Sequence, residues 1–201
     1  GERDELMPLP LSSLAPRPPR HLGFWATVGA VLGFATAYAL GCDYPTCAAA
    51  AGLAAVTTRI AFIDLKMRVI THLDIAMMTA IGLAWVCWSS PEPVSGCISA
   101  LLRSLGYVAT FQIIRLAHIG LRGRESMGLG DVKLIIAAGP LLPVQAFALS
   151  VASAAALGLS FAMLRMWVRR RSSFRYVYVP LGGTLAAAIS VAWLVEAIPV
   201  F

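Results

Sequence analysis

The stretch Val151-Ala152-Ser153-Ala154-Ala155-Ala156-Leu157-Gly158-Leu159 decides what kind of fold this chain has. It is an unbroken run of small and apolar residues, and residues 48–56 repeat the pattern earlier in the sequence. Strands of a membrane β-barrel alternate apolar and polar side chains over about ten positions, so neither run belongs to a barrel. Of the 201 residues, 59% are hydrophobic and 13% charged, where an ordinary soluble domain carries roughly 25% charged residues. The chain therefore reads as all-α, a helical bundle whose main solvent is lipid and whose backbone polar groups are satisfied within helices.

Working outward from that stretch, apolar runs of membrane-crossing length fall at residues 22–40, 46–63, 73–88, 95–116, 145–167 and 179–198. A shorter apolar run covers 132–142, which as a helix reaches only about 16 Å. Whether it crosses decides between seven spans and six. Basic residues favour the cytoplasmic side of a membrane, and with seven spans fifteen of the sixteen Lys and Arg residues share one side. They are Arg3, Arg17, Arg20, Arg59, Lys66, Arg68, Arg115, Arg122, Arg124, Lys133, Arg165, Arg169, Arg170, Arg171 and Arg175. The opposite loops, 41–45 and 89–94, hold Asp43 and Glu92 and no cation. Seven transmembrane helices with a cytoplasmic N-terminus is the expected architecture; six, with a re-entrant fifth segment, is the alternative.

The net charge of +6 is thereby accounted for by topology, and no aromatic-basic interleaving accompanies it, so no nucleic-acid partner is expected. Residues 1–21 form a polar, Pro-rich cytoplasmic tail with no cleavable signal pattern, and residues 22–201 form the transmembrane domain. Gly29 and Gly33 give the small-xxx-small spacing that lets helices pack closely. Arg103 is the one cation that the seven-span topology leaves misplaced, and an arginine inside a span either finds a partner, faces a cavity or snorkels to the interface.

Three aspartates fall at the cytoplasmic boundary: Asp64 ends the second span, Asp74 opens the third and Asp131 opens the short fifth. Each has two readings, a helix cap or interfacial anchor, or part of a site, since membrane-embedded acids are costly to keep. Around Asp131 the sequence is Met127-Gly128-Leu129-Gly130-Asp131-Val132-Lys133-Leu134. Two glycines just before a carboxylate allow close approach of another backbone. The run is not a dinucleotide fingerprint, because Lys133 stands where the third glycine belongs.

Three segments resemble the type IV prepilin peptidases, within the GxGD class of intramembrane aspartic proteases. Residues 125–134, from Glu125 through the Gly128-Leu129-Gly130-Asp131 core, are similar to that family's second-aspartate motif. Asp64-Leu65-Lys66-Met67-Arg68-Val69-Ile70 is similar to its first, although Thr71-His72 replaces the usual Pro-Asn that follows. Val179-Pro180-Leu181-Gly182-Gly183-Thr184-Leu185 is similar to the Pro-Gly segment opening the last helix. The resemblance implies Asp64 and Asp131 as the catalytic pair, with Gly128, Gly130, Lys133, Pro180 and Gly182 lining the substrate's approach. It implies an endopeptidase without a cofactor or metal. The substrate would be a prepilin-like precursor with a short basic leader ending in Gly, cut at the cytoplasmic face of a bacterial inner membrane. Two carboxylates brought together share one proton near neutrality, so that one activates water while the other protonates the departing group.

Rival chemistries lack their parts. His21, His72 and His118 form no H-E-x-x-H pair, and no serine sits in a G-x-S-x-G elbow. Cys42, Cys47, Cys87 and Cys97 show no CxxC spacing. Larger members of the family carry a methylating domain with paired CxxC motifs, so this chain is expected to be of the peptidase-only form similar to those of tight-adherence pili. All four cysteines fall near the outer face, as free thiols or in one of three disulfide pairings. Two non-enzymatic readings remain beside the peptidase: a transporter or channel lined by Arg103 and the boundary aspartates, and an inactive assembly partner of a pilus or secretion machine.

Overall fold

A computed structural model describes residues 21–67, 69–123, 128–168 and 181–198. The N-terminal tail, Arg68, Arg124 to Met127, the arginines from 169 to 175, and Val179 and Pro180 lie outside the described residues. The helices are α1 (Leu22–Ala39), α2 (Tyr44–Met67), α3 (His72–Ser89), α4 (Pro93–Arg122), α5 (Leu129–Leu134), α6 (Ala138–Leu141), α7 (Val144–Val168) and α8 (Leu181–Ala197). A single 3-10 turn, Ile135–Ala137, joins α5 to α6. Among the described residues, α1 to α4 and the Val144–Leu164 part of α7 are long and apolar enough to cross a membrane; α8 is apolar but shorter.

Local chemistry sets the helix ends. Pro45 and Pro93 stand in the first turns of α2 and α4, where a missing N–H leaves no bond unmade. Asp43 caps α2 by accepting from the Thr46 amide at 3.3 Å and from the Thr46 hydroxyl. Thr71 caps α3, accepting from the Asp74 amide at 3.3 Å. Gly123, at φ 64°, closes α4 in the left-handed conformation that glycine adopts without a Cβ penalty. Two helices outrun their apolar runs: α2 continues past Ile63 to Met67, and α4 past Leu116 to Arg122. The added turns carry Asp64, Lys66 and Arg122, charges that end a hydropathy window but not a helix reaching into the interface.

Short connections make α1 to α4 antiparallel neighbours. A side chain on Gly33 would come within 2.6 Å of the Ala50 carbonyl oxygen, and one on Gly29 within 2.8 Å of that of Ala54, so these glycines set the α1–α2 contact. The last helix, α8, runs antiparallel to α2, with Gly183 beside Ala61 and Ser190 Oγ 2.6 Å from Thr57 Oγ1. Consequently the end of α2 and the starts of α3 and α8 lie together at one end of the bundle. Leu53, Ile60, Met78, Ile189 and Trp193 fill the interior, while Leu32, Leu101, Leu105, Leu149 and Val191 are exposed. So much exposed apolar surface on long helices suits hydrocarbon rather than water.

The short fifth segment is built differently from the rest. It occupies α5, the 3-10 turn and α6, pieces of six, three and four residues with Pro140 in the last. Its length is about 20 Å, against a hydrocarbon core of about 30 Å. A broken helix leaves carbonyls without internal donors, and in lipid each such group costs several kcal/mol. Side chains of α4 make good the deficit. Arg103 Nε–H donates to the Gly139 carbonyl at 3.1 Å, the Ser104 hydroxyl to that of Ile136 at 2.9 Å, and the Tyr107 hydroxyl to that of Leu142 at 3.1 Å. Gly139 lies so close to the Ser104 backbone that any Cβ there would collide with it. The Tyr107 ring also stacks on Phe147 at the start of α7, with centroids 4.0 Å apart. Arg103, the isolated cation of the sequence, thus serves a backbone carbonyl.

Candidate active site

Asp64 sits in the last turn of α2, only 3% exposed. Its Oδ2 accepts the Gly183 amide at 2.9 Å, so the first turn of α8 is tied to the end of α2. The approach is tight: a Cβ on Gly183 would stand 3.1 Å from Ala61 Cα.

Asp131 lies in the first turn of α5, which Gly128 caps from an extended backbone conformation. The Asp131 amide donates to the Gly128 carbonyl at 3.2 Å. Its carboxylate spans two glycines: Oδ2 lies 3.5 Å from where a Cβ on Gly128 would be, and Oδ1 lies 3.1 Å from the corresponding point on Gly182. Asp64 Oδ2 is 3.3 Å from that same point on Gly182. The two carboxylate oxygens are therefore at most 6.4 Å apart, the sum of 3.1 and 3.3 Å.

Ile70, from the connection between α2 and α3, completes the enclosure. Its side chain comes within 3.5 Å of a Cβ position on Gly130 and 2.7 Å of one on Gly182. Four chain segments thus converge: the end of α2, the following connection, the start of α5 and the start of α8. Backbone of Gly182 fills the space between two acids, and no larger residue fits there without moving Ile70 or a carboxylate.

Of the residues singled out in the sequence, Asp64, Asp131, Gly128, Gly130 and Gly182 come together. Lys133 does not point with them; two residues beyond Asp131 it lies about 200° further round the helix and is exposed. Pro180 and Glu125 lie outside the described residues. Gly183 and Ile70 stood inside the quoted motifs without an assigned part, and the structure makes one a donor to Asp64 and the other a wall.

Asp74 has a separate environment at the same end. Fully buried, it forms an ion pair with Arg59 of α2, Arg59 Nε to Asp74 Oδ1 at 2.7 Å, and accepts the Thr71 hydroxyl at 2.5 Å. Arg59 entered the sequence reading only as a topological charge; its place inside an apolar run was the signal for a buried partner.

Chemically, two carboxylates brought to the same glycine offer a base and an acid side by side when one of them carries a proton.

Fold and site together define a membrane-embedded helical bundle with a buried aspartate pair at one end. The chain belongs to the type IV leader peptidase family, whose model matches residues 51–163, more than half its length. The matched region includes Asp64, Gly128, Gly130 and Asp131 and ends before Gly182. No curated protein and no solved structure matches the chain. Membership makes it a peptidase of the leader-processing kind, carried on several apolar helices.

Proposed function

We propose that Asp64 and Asp131 are the catalytic pair of an intramembrane aspartic endopeptidase that removes the basic leader of type IV prepilin-like precursors. The observation that carries this reading is the convergence of both carboxylates on Gly182. One member, ionised, takes a proton from a water molecule as that water attacks the scissile carbonyl. Its protonated partner gives a proton to the carbonyl oxygen; as the tetrahedral species collapses, the first acid passes water's proton to the departing amine and the partner takes one back from the gem-diol hydroxyl. Glycine at position 182 lets the start of α8 pass directly beside both acids, where a side chain would crowd them and Ile70.

Seven crossings with a cytoplasmic N-terminus fit the same reading. Lys66, at the end of α2, belongs to the acid-pair end of the bundle, and Asp43 and Glu92 flank helix starts at the other end, the distribution expected when the pair faces the cytoplasm. The enzyme then acts at the cytoplasmic boundary of a bacterial inner membrane, in lipid, with the prepilin as its protein partner.

The test is cleavage of a purified prepilin by the reconstituted protein and its Asp64→Asn and Asp131→Asn variants. Each variant is expected to lose leader removal while eluting as the folded protein. Wild-type turnover by either variant refutes the assignment.

A further inference from the structure

At the end of the bundle opposite the aspartates, Cys87 in the last turn of α3 and Cys97 in the second turn of α4 place their Sγ atoms 3.3 Å apart. We propose that these two cysteines form a structural disulfide on the extracytoplasmic face, a covalent clasp across the α3–α4 hairpin. It rests on the membrane orientation given under Proposed function.

Three features support the pairing. The helix ends are held close by backbone packing: a Cβ on Gly96 would meet Val86 Cγ1 at 3.0 Å and Ser90 Oγ at 2.8 Å, so this glycine, next to Cys97, seats α4 against the residue preceding Cys87. A disulfide needs its sulfurs at about 2.05 Å, and these two already stand in contact at 3.3 Å. Both thiols also lie at the surface of the bundle, Cys87 exposed and Cys97 half-buried, beside the connection that carries Glu92. Cys42 and Cys47, in contrast, are both buried, and the Cys47 thiol is directed at the Cys42 carbonyl oxygen at 3.6 Å. Of the three pairings open to four cysteines, geometry selects the one that includes Cys87–Cys97.

The oxidant is a disulfide-bearing thiol oxidoreductase of the extracytoplasmic compartment, where such bonds persist. One cysteine thiolate attacks a sulfur of its disulfide, forming a mixed disulfide and releasing one oxidant thiol. The second cysteine thiolate then attacks the chain's own sulfur in that intermediate. Two protons and two electrons pass to the oxidant, which leaves as the dithiol. The clasp fixes the start of α4, the helix whose Arg103, Ser104 and Tyr107 hold the segment that bears Asp131.

The experiment alkylates thiols in intact, aerobically grown cells before lysis, then maps the full-length protein by mass spectrometry without reductant. The expected result is a Cys87–Cys97 cross-linked peptide lighter by two hydrogen atoms, with both residues alkylated only after reduction. In Cys97→Ser the Cys87 thiol is expected to react with a membrane-impermeant maleimide from outside the cell. Alkylation of both residues in the wild-type protein before reduction, or a bond from either to Cys42 or Cys47, overturns the proposal. Labelling of Cys87 in Cys97→Ser only after the membrane is opened also overturns it, and locates the fault in the orientation. Leader cleavage, assayed separately, reports on the aspartate pair whichever result is obtained.

Discussion

Two carboxylate sites lie at the same end of this bundle and use their charge in opposite ways. Asp74 is answered by a cation: Arg59 at 2.7 Å, with Thr71 and the start of α3 around it. Asp64 and Asp131 are turned toward one another across a glycine, and Asp64 is steadied by the Gly183 amide. An acid matched by a guanidinium holds two helices together. Two facing acids are what the proposed cleavage needs, a base beside an acid.

The largest effect expected from that contrast separates activity from stability. Asp64→Asn or Asp131→Asn lowers leader cleavage by about 10³-fold or more with the thermal transition nearly unmoved. Asp74→Asn does the reverse: it leaves Arg59 without its counter-charge, at a cost toward the lower end of about 3–5 kcal/mol because the arginine is partly exposed. Turnover per folded molecule is expected to stay near wild type. Denaturation in detergent, run beside a cleavage assay, reads both quantities. Loss of turnover in folded Asp74→Asn comparable to that in Asp64→Asn would collapse the distinction.

Gly182→Ala sharpens the same contrast from the backbone side. The new methyl stands 3.1 and 3.3 Å from the two carboxylate oxygens and 2.7 Å from Ile70 Cδ1, so the isoleucine end must swing away and the acids must part slightly. Displacements on that scale cost about 10- to 100-fold in rate. The expected signature is a fall in kcat larger than the change in KM.

Smaller effects are expected where the site is supported from a distance. Tyr107→Phe removes the donor to the Leu142 carbonyl while keeping the stack on Phe147, and should lower stability by about 1 kcal/mol in the same denaturation assay. Smallest of all is Lys133→Ala, within about twofold of wild-type cleavage, as expected of an exposed side chain away from any buried network. A large loss there would bring a third charged group into the site.

Much of this organisation was legible in the sequence, for identifiable reasons. Hydropathy located the long helices because lipid penalises charge over a whole span. The Gly-Leu-Gly-Asp run stood out because glycines that permit close backbone approach precede an acid at a membrane boundary. Less was legible wherever two helices meet. Nothing in the spacing of Arg59 and Asp74 tells that they face each other, since helical periodicity fixes a side chain's direction on its own helix and not the neighbour it meets. The bonds from Arg103, Ser104 and Tyr107 to the interrupted segment were hidden for the same reason. The true end of α2 was obscured because Asp64 and Lys66 depress the hydropathy of a turn that is nonetheless helical.

The order of those partners along the chain bears on how the protein is made. The donors for the interrupted segment sit on α4, which is synthesised first, so the partners of its carbonyls already exist when the segment emerges. Gly182 and Gly183, by contrast, arrive with α8. A nascent chain therefore carries both aspartates before it can close the chamber around them, and a ribosome stalled ahead of α8 holds an enzyme without its final wall.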